Sequence, residues 1–169
     1  RDEALEFMAA SWADLEDGVD IAYKFLKGKG HSWEKDLYFQ MGEKNRAHDR
    51  LDEARKAYRH LLDIDPNYPQ APVADMAIVS TLEIEKRADE AQEARLAVVE
   101  RYKPGSAWEQ ANSGNKKNFD IAKKAVKRAM FQIPIYYHVK ASKDKKNLDM
   151  DLLARAEQNY LNYLNRYDD

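Results

Sequence analysis

Apolar positions along this chain recur at spacings of three and four and seldom alternate, so the pattern predicts helices rather than strands. The stretch LDEARKAYRHLLDIDP, residues 51–66, places Ala54, Ala57, Tyr58 and Leu61 on one helical face and stops at Asp65-Pro66. Its pattern returns 37 residues later in ADEAQEARLAVVERYKP, residues 88–104. There Asp52-Glu53-Ala54 matches Asp89-Glu90-Ala91, Ala57 matches Ala94, and Leu61 matches Val98. A looser third copy is LLARAEQNYLNYLNRYD, residues 152–168. It has Ala156 in the place of Ala54, Tyr160 in that of Tyr58, and Arg166-Tyr167 echoing Arg101-Tyr102.

Each copy follows another helical pattern. EKDLYFQMGEKNRAH lines up Leu37/Tyr38, Met41 and Asn45, and APVADMAIVSTLEIEKR sets Pro72 at the start of a helix. The predicted unit is helix, short turn, helix, Pro-bearing turn. Such a hairpin buries its apolar face only against its neighbours, which makes a solenoid. Residues 1–30 read as an earlier pair, a degenerate repeat or cap, with Leu5, Met8 and Trp12 on one stripe. Its second helix carries Ile21, Ala22, Phe25 and Leu26 and ends at Gly28 and Gly30. From Asn115 to about Ser142 the stripe Phe119, Ala122, Val126, Ala129/Met130, Ile133 and Tyr137 predicts one long amphipathic helix. A kink is expected near Pro134, whose ring conflicts with the Met130 carbonyl. The C-terminal half of that helix opens the third hairpin, and ASKDKKNLDMD loops to the last helix.

The segment from Lys35 to Pro66 resembles a tetratricopeptide repeat, whose length is roughly 34 residues. Gly42 stands at the small position of its first helix, Ala54 at the small position of its second, Tyr58 at the aromatic position and Pro66 at the closing proline. Asn45 departs from the pattern, where an aromatic is usual, as does Leu61, where Ala is usual. In the second unit Arg95 takes the aromatic place. The resemblance implies an all-α, right-handed superhelical solenoid of three to four antiparallel hairpins: 34–66, 71–104, and a long basic helix plus a divergent repeat over 115–168. It also implies protein binding on a concave surface lined by the first helix of each hairpin. The off-core positions there are Phe39, Glu43 and Arg46, with Met76, Ser80 and Glu83 at the same places 37 residues on, and Gln132 and Tyr136 from the third. The junction ERYKPGSAWEQAN, residues 100–112, is similar to repeat junctions of bacterial envelope proteins, the outer-membrane-assembly lipoproteins and the Tol–Pal-associated coordinator of cell-wall constriction, although Lys103 intrudes before Pro104. That likeness implies a periplasmic or outer-membrane-attached scaffold, with cytoplasm as the other expectation.

Charge adds a second feature. Residues 110–147 hold ten Lys or Arg against two Asp or Glu, about +8, in a chain whose formal net charge is −2. Lys116, Lys117, Lys123, Lys124, Lys127 and Arg128 share the polar side of the long helix. A solvated face explains them, and so does an anionic surface: lipid, cell-wall polymer or nucleic acid. At 169 residues the chain suffices for one domain with a real core. It opens on Arg1 rather than Met, so a piece excised from a longer protein is expected.

Catalytic signatures are missing. The chain has no Cys, which removes disulfides, thiolate zinc sites and cysteine nucleophiles. Its four histidines, His31, His48, His60 and His138, lack HxxxH or HExxH spacing. Asp52/Glu53 and Asp89/Glu90 open helices, where negative charge complements the dipole. GKG at 28–30 lacks the rest of a phosphate loop, and PGS at 104–106 is not GxSxG. No run nears 18 apolar residues. The expectation is a non-enzymatic interaction scaffold that needs no cofactor or metal and binds a peptide or partner helix.

Overall fold

The computed structural model describes residues 2–167; Arg1, Asp168 and Asp169 lie outside them, and with them the outer ends of segments 1–30 and 152–168. Among the described residues there are nine α-helices and no strand. They are α1 (Asp2–Ala13), α2 (Gly18–Leu26), α3 (Glu34–Ala47), α4 (Leu51–Ile64), α5 (Ala71–Ile84), α6 (Ala88–Arg101), α7 (Ala107–Ala111), α8 (Lys116–Ala141) and α9 (Met150–Tyr167). Two compact units divide within α5, the first ending at Thr81 and the second starting at Leu82.

In the first unit α3 and α4 pack as an antiparallel pair. The start of α3 meets the end of α4 where Lys35 Nζ lies 2.8 Å from Asp65 Oδ2. Midway, a Cβ on Gly42 would stand 2.7 Å from Tyr58 Cδ1 and Cζ, so only glycine admits the ring. The core is the stripe expected from sequence: Leu37, Tyr38, Met41, Ala54, Ala57, Tyr58 and Leu61 are all buried. Asn45 joins it by donating from Nδ2 to the Met41 carbonyl at 3.0 Å.

The N-terminal pair packs on these two helices, α1 against α3 and α2 against α4, at a nearly constant sequence offset. Glu6 pairs with Lys44 at 3.2 Å and Asp20 with Lys56 at 2.9 Å, and the Tyr23 and His60 rings stack at 4.4 Å. Those partners are 38, 36 and 37 residues apart. The buried faces differ from expectation. Leu5, Ala9 and Ala13 of α1 and Val19, Ala22 and Leu26 of α2 are buried, whereas Ile21 and Phe25 face outward. Ala22 and Leu26 of the expected stripe are buried, with Val19 in place of Ile21 and Phe25. Phe25 instead meets Trp12, and Lys29 Nζ lies 3.3 Å above its ring.

The turns repeat bond for bond. Asp49 takes φ 57° between α3 and α4, and Lys86 takes φ 60° between α5 and α6. Arg50 N donates to the Asn45 carbonyl and Arg87 N to that of Leu82, both at 2.9 Å. These are the left-handed closing turns of helix C-termini, 37 residues apart.

In the second unit α8 packs against α6 and α9. Ala122, Val126, Ala129 and Ile133 are buried, at successive spacings of four, three and four. The α-helix passes through Pro134 uninterrupted. A short helix escaped the sequence reading: α7, inside the 100–112 junction, is capped where Ser106 Oγ accepts from Glu109 N at 3.2 Å. Trp108 on α7 is buried against Tyr102 and Phe119. The antiparallel α8–α9 pair shows in contacts His138–Tyr160, Phe131–Tyr163 and Lys127–Tyr167. Of α9, only Ala156 is fully buried among the described residues.

Candidate functional site

The residues expected to line a binding surface divide between the units. In the first, Phe39 is half-buried against the Tyr58 and Tyr68 rings at 6.3 and 6.0 Å. Glu43 accepts from the Tyr58 hydroxyl and from Arg46 Nη2 at 2.9 Å. Burial, then the Glu43 carboxylate, pushes the Tyr58 hydroxyl well above the usual phenol range. Met76 and Ser80 are half-buried on α5. Glu43 and Arg46 thus hold a buried tyrosine as well as facing outward.

In the second unit Glu83, Gln132 and Tyr136 belong to two hydrogen-bonded groups. Glu83 Oε1 accepts from Arg95 Nη2 at 2.5 Å and from Gln132 Nε2 at 3.0 Å. Gln132 Oε1 and Arg95 Nε are buried and bond nothing among the described residues. Tyr136 donates to Asp89 Oδ1 at 2.6 Å, and Lys140 Nζ reaches the same oxygen at 2.9 Å. The Tyr136 hydroxyl and then Lys140 hold the exposed Asp89 carboxyl below its ordinary value.

Between these groups lies an open groove of about 740 Å³, lined by α8 and by Asp89 and Arg95 of α6. Three apolar side chains of α8 line it at successive turns: Phe131 is 50% exposed, Ile135 37% and Val139 66%. The stripe expected from sequence includes none of Phe131, Ile135 and Val139. It is the one that buries Ala122, Val126, Ala129 and Ile133. The missed signal was a second spacing-of-four run on the other side of the same helix.

The six cations of the basic patch are exposed. Lys123, Lys124 and Lys127 border a smaller groove of about 400 Å³ with Trp108, Phe119 and Tyr167. Arg128 lies on the larger one.

Asp17, Asp20 and Glu53 bring carboxylate oxygens within 4.8 Å of one another. Lys56 Nζ already sits there, 2.9 Å from Asp20 and 2.6 Å from Glu53, and Glu53 also accepts from Val19 N at 3.3 Å. Those bonds tie α2 to α4. Among the histidines, His31 stacks on Trp33, His60 on Tyr23, and His138 meets Tyr160. No helix among the described residues is long and apolar enough to cross a membrane. No family model, curated protein or solved structure matches the chain.

Proposed function

We propose that this chain is a non-enzymatic protein-interaction scaffold built from tetratricopeptide-like hairpins, acting in the bacterial cell envelope and binding a peptide or a partner helix. The observation that carries the binding role is the groove of the second unit. Three large apolar side chains line an open cavity of about 740 Å³, with Gln132 and Tyr136 beside them. Exposed apolar residues aligned on one helix suit a partner that supplies its own apolar anchors. The repeat reading is supported by the Gly42–Tyr58 interlock, by closing turns 37 residues apart, and by the stacking register of the N-terminal pair. The envelope assignment rests on the 100–112 junction alone.

A second reading, an anionic-surface binder, is favoured by one feature. Lys116 and Lys117 occupy the first turn of α8, which has no acidic residue. Cations there oppose the helix dipole, so helix stability does not explain them.

Crosslinking and capture from envelope and soluble fractions, with mass spectrometry, tests both. The comparison uses Phe131→Ser/Val139→Glu, Phe39→Ala/Met76→Ala and Lys123→Glu/Lys124→Glu/Lys127→Glu variants. A defined protein lost with the first or second variant supports the scaffold. Lipid, wall polymer or nucleic acid lost only with the third supports the other reading.

A further inference from the structure

The charges around the larger groove are unevenly compensated. Arg95 is neutralised by Glu83, and Lys140 by Asp89. Arg128 and Lys143 also line the groove, and Lys143 acts only through its field on Asp89, a carboxylate that Tyr136 and Lys140 already hold. On α8, Lys124, Arg128, Phe131, Ile135 and Val139 follow one another at spacings of four, three, four and four. At 100° per residue they share one face. That face runs about 22 Å at ~1.5 Å per residue, cationic at its N-terminal end and apolar at its C-terminal end. Lys143 adds a cation beyond the apolar part.

We infer that the occupant of this groove is an acidic amphipathic protein segment, with two or more large apolar residues at helical spacing and carboxylates flanking them. The inference rests on the protein-binding reading above and names the chemistry of the partner. Apolar anchors fill the cavity along Phe131, Ile135 and Val139, and carboxylates meet Arg128 and Lys143. A nucleic acid would use the cations and leave the apolar run in water. A lipid surface is flat, whereas these side chains line a recess. An acidic amphipathic segment satisfies both halves of the face at once.

The test is selection of random 16-residue displayed peptides on the full chain, with depletion on a Val139→Glu variant. Val139 is exposed, so that substitution leaves the fold intact, and circular dichroism verifies it. Enriched sequences are expected to be net acidic, with large apolar residues three or four apart. A synthesised hit should bind the Val139→Glu variant at least tenfold more weakly and Arg128→Glu/Lys143→Glu at least fivefold more weakly. Replacing its carboxylates with lysines should restore affinity for the latter variant. Enrichment of neutral or basic sequences overturns the inference, as does binding to Val139→Glu equal to wild type, or no enrichment at all. Phosphatidylglycerol vesicles bound only by the Val139→Glu-sensitive face would give the groove to lipid and overturn it. A dimer in sedimentation velocity that Val139→Glu dissolves would give it to a second copy, with the same consequence. A cellular partner lost with Phe131→Ser/Val139→Glu whose bound segment is not acidic overturns this inference and leaves the scaffold reading standing. Loss of no protein partner by the groove variants or by Phe39→Ala/Met76→Ala removes both.

Discussion

Gly42 on α3 faces the ring of Tyr58 on α4 so closely that a Cβ would lie 2.7 Å from two of its carbons. The hydroxyl at the far end of that ring donates to Glu43, the residue after the glycine. One glycine thus sets how near the two helices come. Gly42→Ala improves helix propensity by ~1 kcal/mol but overpacks a filled site. A net destabilisation of about 1–2 kcal/mol is expected in urea unfolding. Pairing it with Tyr58→Leu should recover part of that cost, giving a coupling of at least ~0.5 kcal/mol; strict additivity would show that the contact is not the limiting one.

The second copy makes the opposite choice. Thirty-seven residues on, Gly42 corresponds to Val79, Tyr58 to Arg95 and Arg46 to Glu83. The aromatic is replaced by a cation, which Glu83 binds at 2.5 Å. Arg95 is 8% exposed. Arg95→Met should therefore destabilise by roughly 1–3 kcal/mol, mostly by leaving the Glu83 carboxylate with Gln132 as its donor and no cation beside it. Adding Glu83→Gln should return much of this, since removing both charges is often close to neutral. If the double variant is as unstable as the single, the guanidinium's packing matters more than its charge.

The all-helical character and the core of α3 and α4 were legible in the sequence because small and large apolar residues there follow a single helical face. Reading failed where a helix carries two. In α8 the buried stripe through Ala122, Val126 and Ile133 hid a second run, Phe131, Ile135 and Val139, which periodicity alone cannot assign to solvent. On α2 it held for Ala22 and Leu26, which are buried, but hydrophobicity favoured Ile21 and Phe25 where the fold buries Val19. The 100–112 junction held a helix too short for any period to register, announced only by Ser106 and Glu109.

His60 is a site of pH-dependent stability. Its ring lies against Tyr23 at 4.4 Å and Tyr38 at 5.3 Å. Burial lowers its pKa below the ordinary 6.5, against the pull of Asp63 and Asp20 and with that of Lys56. The unfolded chain therefore takes up this proton at a higher pH than the folded one. Stability is full above pH 6.5 and falls as pH drops through that value toward the folded pKa. Thermal unfolding between pH 7.5 and 5.5 should show this loss, and His60→Phe should flatten that part of the profile. An unchanged profile would assign the dependence to other groups.

Lys116 and Lys117 give the last prediction, because they test whether the lysine face serves the helix or something outside it. They begin α8, where free N–H groups point outward and Asn115 caps with its side chain at 3.3 Å from Asn118 N. Positive charge in this turn costs ~0.3–1 kcal/mol per residue at low salt. Lys116→Glu/Lys117→Glu should therefore stabilise the chain by about 1 kcal/mol or more, with the gain shrinking as salt rises. If it does, these lysines are maintained against stability, and an anion that meets them is the remaining reason for their presence. Binding of phosphatidylglycerol vesicles or duplex DNA should then fall steeply from 50 to 200 mM salt. Groove binding, steered only by Arg128 and Lys143 and anchored by apolar contact, should weaken by less than about tenfold over that range. Should the double substitution destabilise instead, the lysines are held by contacts within the fold, and the case for an anionic surface at this end of α8 is lost.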